Sequence, residues 1–221
     1  DATYEPEKET MNVVGMLEGN DPSLKNEYVV LGAHLDHVGN QGGKVLFPGA
    51  NDNASGVASI MHVAEALASV KDQIKRSVLF VAFSSEEQGL QGANHFVKHA
   101  PVNTDNITAM LNMDCVAHGD SIVLGGGKSF PELHNLGRKM DSLAKSLVID
   151  RTWRGGGADA TPFYEKGVPT MYFATRNSYT YLHLPGDTPG TLNQELHADI
   201  TKLAYRISLE IAKGEYKKEK E

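Results

Sequence analysis

Four apolar runs limit what this chain can fold into. Tyr28-Val29-Val30-Leu31, Ser77 to Phe83 (SVLFVAF), Ile107 to Met113 (ITAMLNM) and Pro169 to Ala174 (PTMYFA) are short and almost unbroken by polar residues. Such runs predict strands covered on both faces, as found inside parallel sheets. Between them, apolar residues recur at helical spacing: Val57, Ile60, Met61, Ala64 and Leu67 predict a helix over 57–70. Further helices are expected over 93–99, 133–146 and 193–213, the last fading into a solvated tail, Lys213 to Glu221. Met11 to Leu17 reads as a first strand, joined to the Tyr28 run by a polar turn that suits an antiparallel pair. Ser121 to Leu124 reads as a short strand, and Asp1 to Thr10 as a charged, loose opening. Strands alternating with helices predict an α/β fold with three layers, α/β/α, around a central mixed, largely parallel sheet.

With 221 residues, 40% of them hydrophobic, no internal repeat and no linker, the chain is expected to form one domain over 1–221. A net charge of −7 without clustered Lys or Arg argues against a nucleic-acid partner. No apolar run approaches the ~18 residues of a membrane span. No signal peptide is visible, and the chain opens at Asp1 as a processed form does. Cys115 is the only cysteine, so no internal disulfide forms, and it reads as a small buried thiol.

Sites in open α/β sheets form beyond the carboxyl ends of the strands. By that rule the Tyr28 run delivers His34, Asp36 and His37, the Ser77 run Glu86 and Glu87, and the Ile107 run Asp114. The Pro169 run leads into a loop carrying His183, and Asp52 sits in Asn51-Asp52-Asn53-Ala54-Ser55-Gly56, just before a helix. Taken singly, these residues have ordinary explanations: Asp52 as a helix N-cap, Glu86-Glu87 as a solvated pair. His62, His95, His99, His118, His134 and His197 are read as surface or core residues. Gathered on one rim, four or five carboxylates repel one another unless cations neutralise them. Imidazoles and carboxylates are the ligands that hold such divalent ions, and two ions answer the charge. Other motifs fail. Gly127-Lys128-Ser129 lacks the leading glycine of a phosphate loop, where Ile122 stands, and neither a His-Glu-x-x-His nor a Gly-x-Ser-x-Gly element is present.

The chain resembles the M28 family of zinc aminopeptidases, co-catalytic dizinc exopeptidases of the phosphorylase/hydrolase-like fold. The matching stretches, in the family's order, are Gly32-Ala33-His34-Leu35-Asp36, Gly49 to Gly56, Ser85-Glu86-Glu87-Gln88-Gly89-Leu90, Asn112-Met113-Asp114, Asp159 to Phe163 and His183 to Thr188. The resemblance implies two Zn2+ ions, with Co2+ or Mn2+ as substitutes. It makes Asp52 the bridging ligand, His34 and Asp114 the remaining ligands of one ion, and Glu87 and His183 those of the other. Glu86 becomes the general base, and Asp36 the carboxylate that orients His34. Asp159 and Asp187 take supporting positions. The implied substrates are peptides with a free N-terminus, and the family tendency is secretion or periplasmic export. Two departures stand out: Ala158-Asp159-Ala160 replaces the usual Ser-Asp-His, and Leu182 precedes His183, leaving Tyr179 or Tyr181 as candidates to stabilise an oxyanion. The substrate side chain is expected near Tyr164, Phe173 and Tyr179. Two other readings share the fold, a single-zinc glutaminyl cyclase and a non-catalytic relative. The complete ligand set and base rank the peptidase first.

Overall fold

The architecture comes from a computed structural model, in which residues 8–221 are described; most of the charged opening segment therefore lies outside the described residues. Six strands form the main sheet: β1 (Val13–Leu17), β2 (Tyr28–His34), β5 (Ser77–Phe83), β6 (Ile107–Met113), β7 (Ile122–Gly125) and β8 (Thr170–Thr175). A separate two-stranded ribbon pairs β3 (Asn40–Gln41) with β4 (Val45–Leu46). The helices are α1 (Ser55–Ser69), α2 (Gln91–His99), α3 (Pro131–Ser142), α4 (Ala160–Glu165) and α5 (Gln194–Ala212).

The strand order is β1-β5-β2-β6-β8-β7. The four central strands run parallel, and β1 and β7 are antiparallel at the two edges. The expected pairing of the first two strands does not form. β1 pairs with β5, Val14 opposite Val81, while β2 lies between β5 and β6. Burial explains the choice. Val29, Val30 and Leu31 of β2 are fully buried and need neighbours on both sides, whereas Val13, Val14 and Met16 of β1 are exposed and suit an edge.

Successive strand residues face opposite cores. Val29, Leu31 and Ala33 point to one side, where α1 contributes Ile60, Val63 and Leu67, and α5 contributes Ile200, Leu203 and Ile207. Val30, Leu79 and Met110 point to the other, against Phe96 of α2 and Phe163 of α4. There Phe83, Phe96 and Phe163 form a ring trio with centroids 5.7–6.0 Å apart. Burying each such side chain contributes roughly 1.5–3 kcal/mol. These are the three expected layers.

Two local expectations are corrected, and one helix, α4, was not expected. The third helix stops at Ser142 rather than Ser146, because the buried Asp141 carboxylate accepts hydrogen bonds from the Leu147 and Val148 amides, both at 2.9 Å, and turns the chain. The six residues of α4 are too few to show a helical period. The C-terminal tail packs back instead of dissolving into solvent. Tyr216 is buried, and the Glu219 carboxylate accepts from the Glu132 and Leu133 amides, capping a helix whose own N-terminus has no side-chain cap.

The parallel strands all end at one edge, at His34, Phe83, Met113 and Thr175. The candidate residues collect there.

Candidate metal centre

His34 is the last residue of β2, and its side chain is only 1% exposed. Its Nδ1 donates to the backbone carbonyl of Asp36 at 3.1 Å, which turns Nε2 toward Asp52 Oδ1 (3.2 Å) and Asp114 Oδ1 (3.5 Å). The Asp36 carboxylate, expected to orient this ring, is 3.9 Å from Nδ1 and does something else. Its Oδ1 accepts from the Glu86 amide (3.0 Å) and its Oδ2 from the Glu87 amide (3.2 Å). The orienting group is Asp36's main chain, and its side chain fixes the loop that carries both glutamates.

The turn that carries Asp52 is cross-linked to the end of β6. Asn53 donates to the Met113 carbonyl (2.9 Å), and its Oδ1 accepts from the Gly56 and Cys115 amides. Asn51 Oδ1 accepts from the Ala117 amide at 2.8 Å, and Ser55 Oγ accepts from the Val116 amide at 3.1 Å. From the other side, the buried Asp187 carboxylate accepts from the amides of Asn51 (2.8 Å) and Asp52 (3.0 Å). The Asp52–Asn53 peptide bond is cis. Gly56 must be glycine, since a Cβ would lie 2.3 Å from the Met113 carbonyl oxygen. Left-handed backbone also gathers here: Ser85 precedes Glu86 with φ 55°, Cys115 follows Asp114 with φ 54°, and His183 itself has φ 53°. Conformations that side chains disfavour persist where surroundings enforce them, as at functional sites.

Two groups of ligand atoms result, and Asp52 belongs to both. One is His34, Asp52 and Asp114; the other is His37, Asp52, Glu87 and His183, with the atoms in each lying within 4.8 Å of one another. In the second group, His183 Nε2 is 2.9 Å from Glu87 Oε2 and 3.2 Å from Asp52 Oδ2. Zinc bonds to nitrogen and oxygen of about 2.0–2.2 Å place neighbouring ligands roughly 3.3 Å apart, so the spacing fits. Two buried carboxylate oxygens, Asp52 Oδ2 and Asp114 Oδ1, have no hydrogen-bond partner among the described residues and face these groups. Unpaired buried oxygens of this kind are costly and suit a cation. Glu86 lies beside both groups and belongs to neither.

The charges express the same crowding. Burial pushes the Glu86 carboxyl up, and the charges of Asp114, Glu87 and Asp52 push it further, to about 7, against the opposing pull of His34. Burial disfavours the charged form of His34, yet its contacts with Asp114 and Asp52 dominate and raise it to about 12. Asp52 is lowered: burial acts upward, and the three imidazoles of His34, His37 and His183 outweigh it. A cleft of about 360 Å³ opens over these groups, also lined by Cys115, Ala158, Tyr172, Tyr179 and Leu182. It opens to solvent where His183, with 47% of its side chain exposed, forms the rim.

The fold thus brings together His34, Asp36, Asp52, Glu86, Glu87, Asp114 and His183. Asp159 is fully buried beneath them at the start of α4, its carboxyl raised by burial and both oxygens without hydrogen bonds among the described residues. Of the proposed pocket residues, only Tyr179 lines the cleft. Phe173 is fully buried in the core, and Tyr164 stacks edge-on against Phe130. Tyr181 packs against His118 instead. Cys115 is buried, its thiol pushed up by burial and by Asp114. His62, His95, His99, His118, His134 and His197 belong to neither ligand group. One site residue carries no signal in the sequence: Tyr172 donates its hydroxyl to Asp114 Oδ2 at 2.7 Å. His37, expected at the strand end beside His34 and Asp36 but without a role, contacts Glu87.

Comparison with known proteins agrees with this architecture. A probable leucine aminopeptidase 2 from Aspergillus oryzae is 36% identical over 125 residues, 55% of this chain and 23% of that protein. The structure of BSAP, a zinc aminopeptidase from Bacillus subtilis, superposes with a TM-score of 0.75 at 22% identity, covering 90% of this chain and 49% of that one. An Acidobacteriales bacterium glutaminyl cyclase superposes with a TM-score of 0.75 at 17% identity, covering 93% and 74%. These structural likenesses speak for the fold alone, and the chain spans less than half the length of either aminopeptidase. Residues 12–208 match the sequence model of Peptidase family M28, a span that contains the six-stranded sheet and every site residue named above. The chain belongs to peptidase family M28.

Proposed function

We propose that this chain is the catalytic domain of an aminopeptidase that uses two zinc ions to hydrolyse the N-terminal peptide bond of peptides. The observation that carries the reading is the pair of ligand groups joined at Asp52, with the unshared carboxylate of Glu86 beside them. His34, Asp52 and Asp114 would hold one ion, and Asp52, Glu87 and His183 the other. When bound, two divalent ions polarise the scissile carbonyl and lower the pKa of water toward neutrality.

The chain's own residues supply the rest. Glu86 accepts a proton from the attacking water and returns it to the leaving amine, a role suited to a carboxylate near neutrality and typically worth about 10²–10⁴-fold in rate. Asp36 holds the amides of Glu86 and Glu87, so the base and the ligand keep their separation. Tyr172 fixes the Asp114 carboxylate. Tyr179 stands in the cleft as the candidate donor to an oxyanion.

A cyclase reading uses one zinc in the same fold. The test is metal content after zinc loading and removal of loose ion, run beside a panel of aminoacyl amides and a peptide with N-terminal glutamine. Two equivalents with release of the first residue support the peptidase. One equivalent with pyroglutamate formation transfers the reading to the cyclase, and no bound metal overturns both.

A further inference from the structure

His37 stands three residues beyond β2, with its side chain 10% exposed. Its Nδ1 lies 3.0 Å from Glu87 Oε1 and 3.6 Å from Asp52 Oδ2, and the second distance is too long for a hydrogen bond. Its other ring nitrogen, Nε2, is buried with no hydrogen-bond partner among the described residues. A carboxylate oxygen accepts and does not donate, so at 3.0 Å Nδ1 is the donor and Glu87 Oε1 the acceptor. A ring nitrogen that carries a proton does not bind a metal, so His37 supports the second ligand group and is not one of its ligands.

Its surroundings hold the ring in that pose. Gly49, at φ 67°, packs against it so closely that a Cβ would lie 2.7 Å from His37 Cγ. The other Glu87 oxygen, Oε2, is thereby presented to His183 Nε2 at 2.9 Å. Glu86 has no such clasp. Its amide is held by Asp36, and none of the side-chain hydrogen bonds or ion pairs among the described residues engages its carboxylate.

We propose that His37 is the positioning residue that makes Glu87, rather than its neighbour Glu86, the metal-binding glutamate. This rests on the two-metal reading above. Two adjacent acids on one loop are chemically equivalent until something distinguishes them. The His37 Nδ1–H restrains one carboxylate for binding and leaves the other free to move a proton.

The test is a zinc titration against a chromophoric chelator for the wild type, His37→Ala and His37→Asn, with the absorption spectra of the cobalt-loaded proteins. Asparagine Nδ2 takes nearly the place of histidine Nδ1 and donates likewise, without a ring. Losing an outer partner of a metal ligand costs about 10–100-fold in affinity, so His37→Ala should weaken one of the two zinc equivalents by that factor and spare the other, while His37→Asn stays within about threefold of wild type. The His37→Asn cobalt spectrum should match the wild type. Unchanged zinc binding in His37→Ala overturns the proposal. So does a His37→Asn protein as impaired as His37→Ala with an altered cobalt spectrum, which would make His37 itself a ligand. A wild type that binds fewer than two equivalents removes the two-metal reading first and this inference with it, before any substitution is compared.

Discussion

Replacing Asp187 by alanine tests whether the position of Asp52 is built by the fold or imposed by the ion. Asp187 is 1% exposed and contributes no ligand atom to either group. Its two carboxylate oxygens accept from consecutive amides, Asn51 at 2.8 Å and Asp52 at 3.0 Å, and its main-chain carbonyl accepts from Ala50 at 3.2 Å. Alanine removes both side-chain acceptors and leaves two buried N–H groups unpaired. Hydrogen bonds to a charged group contribute about 1.5–3 kcal/mol each, so the metal-free protein should lose about 3–6 kcal/mol. In a chain of this size each kcal/mol moves the melting temperature by about 2–4 °C, which gives a fall of roughly 6–24 °C. Asp187→Asn should recover only part of this, because it returns one acceptor and aims an amide NH2 at the other N–H. The assay is thermal unfolding after chelation, followed by zinc titration of each folded variant. Both zinc equivalents should weaken, since Asp52 belongs to both groups. A metal-free melting point within about 3 °C of wild type, together with unchanged zinc binding, would refute the claim that Asp187 sets the Asp52 turn.

Glu86→Gln should retain two zinc equivalents while turnover of aminoacyl substrates falls by about 10²–10⁴-fold; near-normal turnover would remove Glu86 as the base. Tyr172→Phe deletes the 2.7 Å hydrogen bond to Asp114 and little volume. It should weaken one zinc equivalent by about 10–100-fold, and combining it with His37→Ala should weaken both, because the two residues serve different groups. Gly56→Ala places a Cβ 2.3 Å from the Met113 carbonyl oxygen and 2.4 Å from Asn53 Oδ1. It should lower stability by about 1–3 kcal/mol in a chelator-treated melt, and an unshifted melting point would show that the turn relaxes freely.

How much was legible depended on whether the signal was local. Strands β5 and β6 have the limits read from their apolar runs, because a buried run announces itself without reference to partners. Strand order carries no such mark, and only the exposure of Val13 and Met16 shows why β1 goes to an edge. The charged C-terminal residues look solvated by composition, yet Glu219 finds the free amides of a helix begun some 90 positions earlier in the chain.

The same divide runs through the site. Residue types and their delivery to one strand edge were readable, because the carboxyl ends of parallel strands share a side. Which atom does which job was not. Asp36 was expected to orient His34 with its carboxylate, and the loop instead presents its carbonyl for that task and frees the side chain to hold two amides. Phe173 was expected in the cleft, but strand parity decides otherwise. Met171 and Phe173 face one core, so Tyr172 between them is turned the other way, where its hydroxyl meets Asp114. Parity was available from the sequence, and an anchor for it was not. That anchor is the register of β8 against β6, Tyr172 opposite Asn112 and Phe173 opposite Met113, which only the assembled sheet supplies.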